Sequence, residues 1–98
     1  MWDELARLHD VHLAGVAEQT LVLKIAEEVG EAVQAYIGVT GQNPRKGVHG
    51  TRDDVLRELA DVVVTAGIAM IGVAGGDAGA ARRHLERRLA DVTARAGL

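Results

Sequence analysis

A chain of 98 residues with a formal charge of −3 has room for one domain, and a domain that small buries a modest share of its surface, so help from self-association is expected. The absence of Cys excludes a disulfide scaffold, a thiolate zinc site and a cysteine nucleophile. With no Phe, one Trp and one Tyr, the core must be built from Ala, Val, Leu and Ile, which favours close-packed helices.

The opening segment, "MWDELARLHD", carries acids and lacks the basic start and apolar run of a signal peptide. A cytoplasmic protein is therefore expected. A first helix is predicted from about Asp3, a good N-cap, to about Ala14, with Gly15 interrupting it. His9 and His12 share a face of that helix, an arrangement that ordinary packing or solvation accounts for.

A second helix is predicted from about Val16 to Ile37, ending in "GVTG". At about 100° per residue, Leu21, Val22, Ile25, Ala26, Val29, Ala32, Val33, Tyr36 and Ile37 gather on one side, and Lys24, Glu27, Glu31 and Gln34 on the other. Glu28 falls at the boundary, and Tyr36, on the apolar stripe, is expected in the core. The segment "TGQNPRKGVHGT" holds the only proline and several glycines and reads as a loop.

Thr51 or Asp53 is expected to cap a third helix running to about Val73. Its β-branched run at Val62–Thr65 alone would suit a strand, but its unbroken continuation from "DDVLRELAD" favours helix. Asp54, Glu58, Asp61 and Thr65 form a narrow strip with apolar residues on both sides, so the helix is expected to be surrounded by protein, its carboxylates facing a cleft. The uncharged run 62–76 is shorter than the roughly 20 residues needed to cross a bilayer, and no membrane association is expected. After "AGGDAG" a fourth helix is predicted from about Asp77 to Ala96, its Arg82, Arg83, Arg87 and Arg88 forming a solvated face. Nucleic acid is not an expected partner: without the five clustered acids at 27, 28, 31, 58 and 61, the count is 9 acids against 11 bases, far from a strong basic excess.

Glu28 with Glu31 and Glu58 with Asp61 are both i, i+3 pairs, so each projects two carboxylates from one side of its helix. Two antiparallel helices would bring the four together as an oxygen cage suited to Mg²⁺ or Mn²⁺. A di-iron bundle would need Glu-x-x-His pairs, and the sequence has none. Lys24, one turn before Glu27 and Glu28, either grips phosphate or pairs with those glutamates. Arg45 and Lys46, in the loop between the acidic helices, are candidate phosphate-binding residues.

The segments "KIAEEVGEAVQAYIG" and "RELADVVVTA" resemble the MazG-like nucleoside triphosphate pyrophosphohydrolases, whose signature is Glu-x-x-Glu and then Glu-x-x-Asp across a helix, loop and helix. The resemblance covers about residues 20–66, with 26 residues between Glu31 and Glu58. It implies a single all-α domain over residues 1–98, a four-helix MazG-like bundle completed by oligomerisation as a homodimer or homotetramer. It also implies Mg²⁺ ligation by Glu28, Glu31, Glu58 and Asp61, with Glu27 as a base or a second-metal ligand. The implied reaction splits a nucleoside or deoxynucleoside triphosphate between the alpha and beta phosphates, giving a monophosphate and pyrophosphate, in nucleotide-pool sanitation. The competing expectation is a non-catalytic helical module that binds nucleotide or serves oligomerisation or regulation.

Overall fold

The computed structural model describes residues 1–98 as an all-α chain of four helices without strands. They are α1 (Trp2–Leu8), continued by a π-helical turn (His9–Leu13), α2 (Glu18–Thr40), α3 (Arg52–Val73) and α4 (Ala78–Arg95). The chain divides into two compact units, one formed by Ala17–Ala66 and the other by Met1–Val16 with Gly67–Leu98. No single helix is long and apolar enough to cross a membrane.

In the Ala17–Ala66 unit, α2 starts two residues later than its periodicity predicts, because Ala17 is extended (ψ 139°) and no side chain caps the end. It runs three residues past Ile37 and closes at Gly41, whose left-handed backbone (φ 68°) lets its N–H reach the Ile37 carbonyl at 3.0 Å. The start of α3 is fixed by a reciprocal cap. Thr51 N–H donates to the Asp54 carboxylate at 2.8 Å, and Asp54 N–H donates to the Thr51 hydroxyl at 3.2 Å, which satisfies two donors that a helix start leaves unpaired.

The other unit is packed around Leu5, Ile68, Ala69, Ile71 and Ala81, all buried. α1 lies against α4, and Leu5 sits over Gly67 so closely that an added Cβ would come within 2.7 Å of its Cδ1. Asp3 does not cap α1, which begins one residue earlier at Trp2; the aspartate stands in the first turn, where its charge suits the helix dipole. The π-helical turn carries an extra residue and closes by wider i→i+5 bonds, which parts the two histidines expected on one face. His9 is buried, with Nδ1 3.2 Å from the Asp10 carboxylate, while His12 is exposed. At the end of α3, Gly76 N–H reaches the Ile71 carbonyl (2.8 Å) and Gly75 N–H the Gly72 carbonyl (3.1 Å), with Gly75 at φ 72°. This paired closure is the glycine-dependent helix stop. The fourth helix starts where expected, and Asp77 caps it, accepting from Ala80 N–H at 2.9 Å.

Candidate metal centre

The acidic residues of α2 and of the first turns of α3 come together inside the Ala17–Ala66 unit. Glu28, Glu31 and Glu58 each offer a carboxylate oxygen, and these oxygens all lie within 4.8 Å of one another. Two come from an i, i+3 pair on α2, and the third is brought in from α3 after the loop reverses the chain. Like charges at such separations repel, and the environment adds to the cost. The Glu28 side chain is only 13% exposed, and one oxygen of Glu58 is fully buried without a hydrogen-bond partner.

The local cation is Lys24, whose Nζ stands 3.7 Å from Glu28 and 3.8 Å from Glu27. This is the intrahelical pairing that its position one turn earlier allows. It offsets part of the charge of Glu28 but pairs with neither Glu31 nor Glu58. A carboxylate oxygen out of water and without a donor costs free energy unless a cation or a proton meets it. Three carboxylate oxygens within 4.8 Å of one another are a hard-cation donor set, so the residues present fit a Mg²⁺ or Mn²⁺ ion.

The fourth expected ligand, Asp61, is exposed and stands outside the trio. It lies three residues beyond Glu58 on the same side of α3, where side chains are about 5–6 Å apart at Cβ. Glu27 is also outside the trio, mostly exposed beside Lys24. Arg45 and Lys46 are exposed in the loop and form no ion pair. Their turn is organised by Asn43, whose side chain accepts from Arg45 N–H (3.2 Å) and whose carbonyl accepts from Lys46 and Gly47 N–H (3.1 and 3.2 Å).

Beside the acids, the same two helices form an apolar groove of about 280 Å³ lined by Val29, Ala32, Val33, Tyr36, Val55, Leu59 and Val62. Tyr36 is therefore not a core residue: it is 46% exposed and forms part of the groove wall. Nor is this part of α3 enclosed within the single chain. Leu56 and Val63 are 63% and 55% exposed, because two helices in a unit of this size can cover only one line of each other.

Of the two caps expected for α3, Thr51 is the one that acts, and Asp53 lies inside the helix. Its partner Asp54 went unread, though the Thr-x-x-Asp spacing signalled it, and Arg57 joins the pair through an ion pair of 2.6 Å to Asp54. The Thr51 backbone N–H, then the Thr51 hydroxyl and the Arg57 guanidinium, hold the Asp54 carboxyl below the usual aspartate value. The packing of His49 on Gly38 had no such signal. No family model, no curated protein and no solved structure matches this chain.

Proposed function

We propose that the chain is a Mg²⁺-dependent nucleoside triphosphate pyrophosphohydrolase of the MazG-like kind, working in the cytoplasm in nucleotide-pool sanitation. The observation that carries this reading is the convergence of one carboxylate oxygen each from Glu28, Glu31 and Glu58 to within 4.8 Å of one another, with Glu58 also burying an oxygen that has no hydrogen-bond partner. Glu28, Glu31 and Glu58 would hold the metal, with Asp61 as the neighbouring fourth carboxylate. When bound, the ion supplies positive charge that polarises phosphoryl oxygens and makes a water acidic enough to attack phosphorus.

The chain's own side chains account for the rest. Glu27, exposed and close to the trio along α2, accepts the proton that the attacking water loses. Lys24 moves from its pairing with Glu27 and Glu28 to the phosphate chain. Arg45 and Lys46, free of ion pairs, bind the phosphates that leave as pyrophosphate. The bond between the alpha phosphorus and the bridging oxygen breaks, water supplies the new oxygen, and the products are a nucleoside monophosphate and pyrophosphate.

A four-helix assembly completed by a second copy, as a homodimer or homotetramer, is part of the same reading. It is supported by the row of exposed apolar side chains at Val29, Val33, Leu56, Leu59 and Val63, a surface too apolar for a helix face left in water.

The test is to incubate the chain with a panel of standard and modified triphosphates and Mg²⁺ and to assay pyrophosphate separately from phosphate. Pyrophosphate release that disappears with EDTA and in Glu31→Ala is the expected result. Orthophosphate as the sole product, or full activity in Glu31→Ala, overturns the assignment.

A further inference from the structure

The loop between α2 and α3 is pinned to the helix it leaves. His49 N–H donates to the Gly38 carbonyl at 2.8 Å, which uses one of the carbonyls left unpaired in the last turn of α2. The His49 side chain lies across the same residue. A Cβ built on Gly38 would fall 2.8 Å from Nε2, 3.0 Å from Cδ2 and 2.9 Å from the carbonyl oxygen of His49. Three residues on, a Cβ on Gly41 would be 2.7 Å from Val48 Cγ2. The strand of loop before the α3 cap is thus seated on glycines, at spacings that no other residue type permits. Between the two pinned ends lies the Asn43 turn, which carries Arg45 and Lys46.

We infer that Gly38 and His49 are positioning residues, a clasp that holds Arg45 and Lys46 at the end of the α2–α3 pair so that they take the far end of a polyphosphate whose near end is at the glutamates. This rests on the proposed function. Glu31 is nine residues from the end of α2, and Glu58 is six from the start of α3. At 1.5 Å per residue the trio therefore lies about 9–14 Å from the loop along the helices. That is too far for a direct ion pair and within reach of a chain of phosphates stretched between them. A loop free to wander would lose this register. A closure that fixes both flanks lowers the entropy spent when the arginine and lysine engage their ligand.

Three variants and two kinds of measurement test the clasp. Gly38→Ala forces the His49 backbone off the helix. His49→Ala removes the ring, keeps the backbone bond and introduces no clash. Arg45→Ala/Lys46→Ala removes the cations and leaves the clasp. Tryptic cleavage after Arg45 and Lys46, read by mass spectrometry on folded protein, reports loop opening without reference to activity. Binding of Mg²⁺ and of inorganic triphosphate with Mg²⁺ is read by calorimetry.

Gly38→Ala is expected to speed cleavage by about tenfold or more, with His49→Ala intermediate. Both should weaken triphosphate binding in the same order, toward the level of the double variant, while Mg²⁺ affinity stays at the wild-type value. Unchanged cleavage in both Gly38→Ala and His49→Ala overturns the clasp. Faster cleavage with unchanged triphosphate binding leaves the clasp structural and overturns its positioning role. A wild-type chain that binds neither Mg²⁺ nor triphosphate overturns the functional reading and the phosphate role with it, and the cleavage rates still decide the clasp by themselves.

Discussion

Glu58 concentrates the cost of the candidate site in one atom. One of its oxygens is buried without a donor, and its carboxylate lies close to two further glutamates, so in metal-free protein the carboxylate should be destabilising. Glu58→Gln keeps the shape, removes the charge and adds a donor for Glu28 or Glu31. Without metal it is expected to melt higher than wild type, by about 4–8 °C if about 1 kcal/mol is recovered in a domain of this size. Added Mg²⁺ should then raise the melting temperature of wild type and leave the variant unchanged. Scanning calorimetry with and without Mg²⁺ checks both halves, and a variant that melts lower without metal would show that the oxygen is not strained. Because Asp61 stands outside the trio, Asp61→Asn should weaken Mg²⁺ binding less than Glu31→Gln does, in a direct titration. The residues of this site were legible because i, i+3 spacing fixes which side of a helix a side chain leaves from. What spacing does not contain is the register of one helix against the next, and that register decides that Glu58, and not Asp61, meets the α2 pair.

The ends of the helices show the same division between local and distant causes. Asp77 and Thr51 act through hydrogen bonds to residues three positions on, and both caps are readable from residue type. The late start of α2 and the π-helical turn are not, since neither has a side-chain signal. The Thr51–Asp54 pair makes two predictions at this level. Thr51→Ala should cost about 1 kcal/mol, seen as a lower urea midpoint. The Asp54 carboxyl is depressed below its ordinary value of 3.8 by the Thr51 N–H and hydroxyl and by Arg57. Its stabilisation is therefore complete above the ordinary value and is lost as pH falls through the lowered one. Denaturation midpoints of wild type and Asp54→Asn should differ near pH 6 and converge as pH falls below the ordinary value of 3.8 and through the lowered one. A gap that persists at the acid end would assign the effect to something other than this ionisation.

At the scale of the molecule, composition and periodicity were enough for four helices and no strand, because apolar residues at helical spacing leave few alternatives for a chain without Phe. They did not reveal how much of the apolar stripe would stay uncovered. Leu21 and Ala32 of α2 are buried, whereas Val22, Val29, Val33 and Tyr36 of the same stripe are exposed. The proposed self-association closes that gap and is open to measurement. Sedimentation at micromolar concentration should give at least twice the 10.3 kDa chain mass, and Val33→Glu/Leu59→Glu should reduce it to that of one chain. A wild-type chain that sediments as a monomer would leave the face to some other cover.

The π-helical turn also sets a phase. Each residue of an α-helix turns the chain through about 100°. Deleting any one residue from Asp10 to Leu13 would thus yield a smoother rod at the expense of its aim, swinging Leu5 away from Gly67 and the imidazole of His9 out toward water. Length in this short segment works as a dial, and sequences that share its composition but differ by a single insertion or deletion would be expected to seat a different edge of the first helix.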